Sequence, residues 1–217
     1  MNLPNKLTIF RILLVPVIVI ISLIDIPGTC FGVPMNMIIM DIIFIIAAIT
    51  DKLDGYIARS RNQVTTLGKF LDPIADKILV LAAMIIFVER GLLPAWIPII
   101  VLFREFIVSG YRLIAVEKNG NVIAANIWGK LKTVTQMLAI ILMFLTTHPY
   151  FSFILRAKSE QATFENSALV YMNTGDYIIN ILASVLMTIS VIATIFSGYE
   201  YIKNGKDLFA DKNHSGG

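Results

Sequence analysis

Apolar residues fall into six long runs along the chain, separated by short clusters of Gly, Pro, Asn and charged residues. A helix that crosses the hydrocarbon core of a bilayer needs about 20 apolar residues, which is close to the length of each run. The pattern predicts six membrane-spanning helices at about 8–24, 35–55, 73–89, 94–112, 131–147 and 178–202. No repeat or low-complexity linker divides the sequence, so we expect one all-α, membrane-embedded domain over residues 1–217.

The composition supports a membrane protein. Hydrophobic residues make up 57% of the 217 residues and charged residues only 15%, with a mean hydropathy of +0.77. An even number of spans puts both termini on one side, and Lys and Arg accumulate on the cytoplasmic side. The basic residues concentrate in the segments on the side of the termini, so we expect those segments in the cytoplasm. The net charge of +3 reflects this topology and gives no reason to expect a nucleic-acid partner.

Four aspartates stand close together directly after the second apolar run: Asp51, Asp54, Asp72 and Asp76. The first two are three residues apart and the last two are four apart, so each pair shares a face of a helix. The polar turn RSRNQVTTLG between the pairs is short, which makes the two helices neighbours. Because a carboxylate at membrane depth costs about 2.5–3.5 kcal/mol, we expect a positive charge among the four.

Divalent cations are the partners that this cluster predicts. Oxygen ligands suit Mg²⁺, Mn²⁺ or Ca²⁺, and two such ions about 3.5–4 Å apart commonly serve phosphoryl chemistry. The lone Cys30 and the distant His148 and His214 argue against a zinc site. Arg59 is placed to hold a phosphate, so the predicted ligand is a metal-bound diphosphate. The alternative is that the aspartates cap helices and pair with cations of a solvated loop, namely Lys52, Arg59, Lys69 and Lys77.

The segment reads D-x2-D-G-x2-A-R-x8-G-x3-D-x3-D and resembles the signature of the CDP-alcohol phosphatidyltransferase family at all eight positions. These are Asp51, Asp54, Gly55, Ala58, Arg59, Gly68, Asp72 and Asp76. The stretches MNLPNKLTIFRILLVPV, REFIVSGYRLIAVEKNG and IAANIWGKLKTVTQM are also similar to one branch of that family, the bacterial phosphatidylglycerophosphate synthases. Residues 148–177 are the region for which we find no counterpart by eye.

The resemblance implies a six-helix bundle of the CDP-alcohol phosphatidyltransferase type, usually homodimeric, in a bacterial plasma membrane with its polar cavity open to the cytoplasm. It implies CDP-diacylglycerol as donor, CMP as leaving group, and two divalent cations, Mg²⁺ or Mn²⁺, held by the four aspartates. Asp76 would also be the general base. The donor would lie against Gly55, Ala58, Arg59 and Gly68. Asn5 is a further candidate for donor binding, and an N-cap of the first helix is its other interpretation.

A second group of charged residues predicts the acceptor site. Arg104 and Glu105 fall in the middle of the fourth apolar run, where ionisable side chains usually face a cavity, and Arg112 follows two turns later. Lys130 and Lys132 open the fifth run. Together the cations predict a pocket for a phosphorylated alcohol, which fits sn-glycerol 3-phosphate. The plainer interpretation is that Arg104 pairs only with Glu105 and that the other cations are topological anchors.

The resemblance, supported by the predicted cation pocket, implies transfer of a phosphatidyl group from CDP-diacylglycerol to sn-glycerol 3-phosphate, giving phosphatidylglycerophosphate and CMP in phospholipid synthesis. A related transferase that uses inositol phosphate or serine remains an alternative. Membrane prenyltransferases also bind diphosphates through aspartates and Mg²⁺, but on two well-separated motifs. A cation channel or transporter would spread acids along several helices, whereas here Asp41 and Glu105 are the only acids outside the cluster that we expect at membrane depth.

Overall fold

The computed structural model describes residues 3–60, 66–117, 127–152 and 174–204, and within them side chains for 6–51, 74–75, 77–111, 114, 127–152 and 174–203. These residues are mostly helical. The six helices in these ranges are α1 (Leu3–Leu23), α2 (Met35–Ser60), α3 (Thr66–Glu89), α4 (Trp96–Glu117), α5 (Ile127–Phe144) and α6 (Thr174–Asn204). A short antiparallel hairpin of β1 (Thr29–Cys30) and β2 (Val33–Pro34) joins α1 to α2.

The helices around the aspartates are longer than the apolar runs. α2 continues to Ser60 and α3 already begins at Thr66, whereas the hydrophobic pattern ends near 55 and resumes near 73. An apolar run marks where the bilayer is expected to end, while backbone hydrogen bonding continues into water through residues that tolerate a helix. As a result, every position of the eight-residue aspartate signature lies on a helix.

Three stretches of the described helices are long and apolar enough to cross a membrane: Lys6–Leu23, Ile127–Phe144 and Thr174–Lys203. The helices α2, α3 and α4 are of similar length, but ionisable residues interrupt their apolar stretches. Examples are Asp41 and Asp51 in α2 and Arg104 in α4. The structure therefore agrees with an all-α membrane protein, and the number of six spans stays a prediction.

The described contacts divide the chain into two compact units, of which the first comprises Met1–Pro94 and Met137–Ser184. In this unit α1 packs against both α2 and α3. An aromatic cluster fills part of its core, because the ring of Phe144 contacts Phe87 edge-on at 4.6 Å and Phe44 at 6.0 Å between centroids. α1 therefore lies against both helices that carry the aspartates.

The segment that follows α5 is attached to α6 by the buried Asn180. The Asn180 amide donates to the carbonyl oxygens of His148 and Pro149 at 3.0 and 3.2 Å, and its side-chain oxygen accepts from Ser152 at 2.8 Å. The Ser184 hydroxyl accepts from the backbone N–H of Phe151. These bonds fix the beginning of segment 148–177, which the sequence left without a function.

The second unit comprises Ala95–Gln136 and Val185–Gly217, and so contains α4, the first part of α5 and the second part of α6. Trp128 of α5 stacks on Phe196 of α6, with 5.1 Å between ring centroids. Along α6 the small polar residues Ser190, Thr194 and Ser197 are buried, as is common where membrane helices pack closely. The prediction of one catalytic domain over residues 1–217 stays a prediction.

Candidate active site

The aspartate signature is divided between two consecutive helices. Asp51 and Asp54 lie on α2, Asp72 and Asp76 lie on α3, and only residues 61–65 separate the two helices along the chain. Since residues three or four positions apart share a helix face, each pair of aspartates is held on one face by its own helix. The backbone thus has the arrangement that the spacing predicts for two pairs of carboxylates.

Asp51 is the one aspartate of the signature whose side chain the structure describes. The predicted metal ligands Asp54, Asp72 and Asp76 lie outside the described side chains. So do the predicted donor-binding residues, which are Asn5, Gly55, Ala58, Arg59 and Gly68. Asn5 is within the first turn of α1, which begins at Leu3, so its position does not favour the N-cap interpretation.

An arginine from α1 contacts the described carboxylate. The Nη1 atom of Arg11 lies 2.9 Å from Oδ1 of Asp51, as expected for a charge-assisted hydrogen bond. Arg11 is completely buried, whereas 30% of the Asp51 side chain remains exposed. The contact therefore holds Asp51 from the protein side and leaves part of its surface open.

Arg11 is one of the basic residues on the side of the termini, which were used only to predict topology, so this contact was missed. The signal was available, because Arg11 is the only ionisable residue between Leu7 and Ile24, inside the first apolar run. An ionisable residue in such a run usually faces the protein interior and a partner. The same rule had selected Arg104 in the fourth run.

The residues of the signature fit a site for hard divalent cations. Their donors are carboxylate oxygens, which Mg²⁺ and Mn²⁺ prefer over sulfur. The exposed part of Asp51 is consistent with a carboxylate that can still reach a ligand. Among the described side chains, which do not include Asp54, Asp72 and Asp76, no three acids, histidines or cysteines come together.

The second unit contains a buried charge cluster made of Arg104, Glu105 and Lys132. Oε1 of Glu105 accepts from Nη1 of Arg104 at 2.9 Å and also from Nζ of Lys132. The exposed fractions of the three side chains are 12%, 18% and 8%, respectively. One carboxylate is therefore shared by two cations, and the cluster has a formal charge of +1.

Helix α6 completes the surroundings of Arg104. Nη2 of Arg104 donates to the Ser197 hydroxyl, and the guanidinium lies 5.8 Å from the ring centroid of Tyr201. Two glycines lie beside the side chain. A Cβ on Gly198 would lie 3.4 Å from Cγ of Arg104, and one on Gly129 would lie 3.6 Å from Nη2, which are ordinary contact distances. No sequence motif pointed to Ser197, Tyr201 or Gly198.

The predicted acceptor residues thus have different surroundings. Arg104 does pair with Glu105, but the pair has further contacts. Lys132 also binds Glu105, and Ser197 and Tyr201 contact Arg104. Lys130 is exposed, two positions from the buried Lys132 on α5. Arg112 lies on α4, with its side chain outside the described ones.

The chain is similar to known proteins along most of its length. The family model described as CDP-alcohol phosphatidyltransferase matches residues 1–196. A protein of Bacillus subtilis (strain 168) named CDP-diacylglycerol–glycerol-3-phosphate 3-phosphatidyltransferase is 37% identical over 98% of this chain and 99% of its own length. This likeness extends through residues 148–177, for which no counterpart was found by eye. A protein of the same name from Haemophilus influenzae is 43% identical over 64% of this chain and 73% of its own length. Another from Rickettsia bellii is 32% identical over 96% of this chain and 97% of its own length. With the aspartate signature on α2 and α3 and a likeness that runs through nearly the whole chain, the protein belongs to the CDP-alcohol phosphatidyltransferase family.

Proposed function

We propose that this protein transfers the phosphatidyl group of CDP-diacylglycerol to sn-glycerol 3-phosphate and releases CMP. The observation that carries the proposal is the 37% identity, over 98% of the chain, to a Bacillus subtilis protein named for that reaction. The signature of paired aspartates on α2 and α3 supports the same chemistry. The reaction supplies phosphatidylglycerophosphate for phospholipid synthesis.

Asp51, Asp54, Asp72 and Asp76 would hold two divalent cations, Mg²⁺ or Mn²⁺. When bound, such cations stabilise the negative charge of the diphosphate and of the departing CMP. Gly55, Ala58 and Gly68 lack bulky side chains where the donor approaches α2 and α3, and Asn5 and Arg59 bind its polar part.

Asp76 is the general base of the proposed reaction. It accepts the proton of an acceptor hydroxyl, whose oxygen attacks the phosphorus that carries the diacylglycerol. The new bond joins this oxygen to phosphorus. The bond that breaks joins the same phosphorus to the oxygen bridging it to CMP, and CMP leaves with that oxygen.

The cations of the second unit support a phosphorylated acceptor. Arg104 and Lys132 both contact the carboxylate of Glu105, so two cations lie close together in this cluster. Neighbouring cations attract a phosphate, such as that of sn-glycerol 3-phosphate. Arg112 and Lys130 add two more cations to α4 and α5. A neutral acceptor hydroxyl such as that of serine would gain less from them.

The proposal includes a membrane setting. The acyl chains of the donor need lipid, whereas its cytidine diphosphate and the acceptor need water, so the reaction belongs where a helical bundle meets the headgroups. We assign six spans in a bacterial plasma membrane, with both termini and the active site in the cytoplasm, where Lys and Arg accumulate. We also expect a homodimer.

The test is CMP release by the purified, detergent-solubilised protein given CDP-diacylglycerol and Mg²⁺ or Mn²⁺. sn-Glycerol 3-phosphate, inositol phosphate and serine are supplied separately, and an EDTA-treated sample is the control for metal dependence. We expect metal-dependent release with sn-glycerol 3-phosphate alone. Release with another acceptor instead would keep the chemistry and refute the acceptor, and no release with any acceptor would refute the transferase.

A further inference from the structure

Arg11 is the largest side chain of the described core that is completely buried, and it lies on α1, which packs against both helices of the aspartate signature. A permanently charged guanidinium is costly to bury in a membrane protein. Burial also rules out the role of an arginine that reaches the headgroups from the end of a helix. The position of Arg11 therefore requires an explanation in terms of its partner.

One partner of Arg11 is Asp51, whose Oδ1 lies 2.9 Å from Nη1 of the arginine. A positive charge this close to a metal ligand weakens cation binding by repulsion, so the contact does not raise metal affinity through charge alone. A guanidinium that is itself fixed by packing, however, restricts the rotamers of the carboxylate that it contacts. Without such a contact, the carboxylate would become ordered only when the cation binds, and the lost conformational entropy would lower the affinity.

We propose that Arg11 is a positioning residue that holds the Asp51 carboxylate in the conformation in which it binds a divalent cation. This inference rests on the proposed function, because it requires Asp51 to be a metal ligand. It assigns to α1 a part in the metal site, beyond the residues of the signature on α2 and α3. Outer contacts of this kind typically change metal affinity roughly tenfold to hundredfold when they are removed.

The opposite interpretation makes an opposite prediction. If Arg11 only compensates the charge of Asp51 in the absence of metal, it competes with the cation, and its removal should tighten metal binding. If Arg11 positions Asp51, its removal should weaken binding in spite of the relieved repulsion. The direction of the change in affinity separates the two roles.

The experiment measures Mn²⁺ binding to the purified protein without substrate, by the decrease of the free Mn²⁺ signal in electron paramagnetic resonance. Variants are Arg11→Met, which keeps the length without charge, and Arg11→Lys, which keeps the charge but loses the planar fork of donors. We expect the Mn²⁺ dissociation constant to rise roughly tenfold or more for Arg11→Met and less for Arg11→Lys. An unchanged or lower dissociation constant in both variants would overturn the inference.

Arg90→Met is the matched control, because Arg90 is another arginine of the first unit and donates to a backbone carbonyl, that of Ser22, at 3.2 Å. We expect its Mn²⁺ affinity to equal that of the wild type. If Arg11→Met does not fold, Arg11→Lys decides by itself, since unaltered or tighter binding there refutes the positioning role. Failure of the wild type to bind Mn²⁺ would refute the metal site of the proposed function, whereas normal wild-type binding with unchanged variants would refute only the role of Arg11.

Discussion

Two charge clusters among the described side chains are built in opposite ways. In the first unit a completely buried cation, Arg11, contacts an aspartate that stays 30% exposed. In the second unit one glutamate is shared by Arg104 and Lys132, and all three side chains are at least four-fifths buried. The first cluster belongs to a region rich in carboxylates, and the second has an excess of positive charge.

The difference teaches which ligand each region suits. In the proposed role of Arg11, the guanidinium orients the Asp51 carboxylate, and the exposed part of that carboxylate binds a cation. In the proposed acceptor site, Arg104 and Lys132 attract a phosphate, and Glu105 between them reduces their mutual repulsion. A transferase that joins a diphosphate donor to a phosphorylated alcohol needs both kinds of region.

The largest effect is expected at the general base proposed for the carboxylate-rich region. Asp76→Asn should lose turnover by about 10²- to 10⁴-fold even at saturating Mn²⁺, because an amide does not accept the proton of the acceptor hydroxyl. The measurement combines kcat from CMP release with Mn²⁺ binding. Asp54→Asn is the comparison, since a residue that acts only as a metal ligand should regain more of its turnover when Mn²⁺ is saturating. Normal turnover by Asp76→Asn would remove Asp76 as the base.

The next effect concerns the cation-rich region. Arg112→Ala should raise the KM for sn-glycerol 3-phosphate roughly tenfold to hundredfold, since hydrogen bonds to charged groups contribute about 1.5–3 kcal/mol. The KM for CDP-diacylglycerol should hardly change. Lys203→Ala, which removes an exposed cation from the last turn of α6, is the control for a general change in charge. Equal changes in both KM values would contradict an acceptor site at Arg112.

Several residues of the two clusters were predictable from the sequence, because the patterns that mark them are local. Helical spacing placed Asp51 with Asp54 and Asp72 with Asp76, and the rule for ionisable residues in apolar runs selected Arg104 and Glu105. Each of these predictions needs only residues that are close along one helix.

Contacts between helices were not predictable in the same way. The partner of Arg11 is 40 residues away on α2, and Ser197 is 93 residues from Arg104. The apolar run around Arg11 indicates that this residue has an interior partner, but which residue on another helix that partner is depends on how the helices pack. The extension of α2 to Ser60 was missed for another reason, since hydropathy reports the edge of the bilayer and not the end of backbone hydrogen bonding.

Removing the charges of the second cluster one at a time should have the smallest effect on the reaction. It also tests how Arg104, Glu105 and Lys132 stabilise one another. Glu105→Gln leaves Arg104 and Lys132 without their shared counterion and should cost on the order of 3 kcal/mol of stability. Lys132→Met leaves Arg104 paired with Glu105 and should cost less than about 1 kcal/mol. The double variant should be more stable than Glu105→Gln, because the repulsion between the two cations is gone.

Thermal unfolding in detergent gives this order, and the KM for sn-glycerol 3-phosphate gives the role of Lys132 separately. Lys132→Met should raise that KM about two- to tenfold, and the double variant should stay as high, because a more stable cluster does not restore the lost positive charge. If the KM of Lys132→Met equals that of the wild type, Lys132 only supports the helices and the acceptor phosphate binds elsewhere among the cations. If Lys132→Met is as unstable as Glu105→Gln, the three charges are not balanced around Glu105, and the contrast with the carboxylate of Asp51 fails.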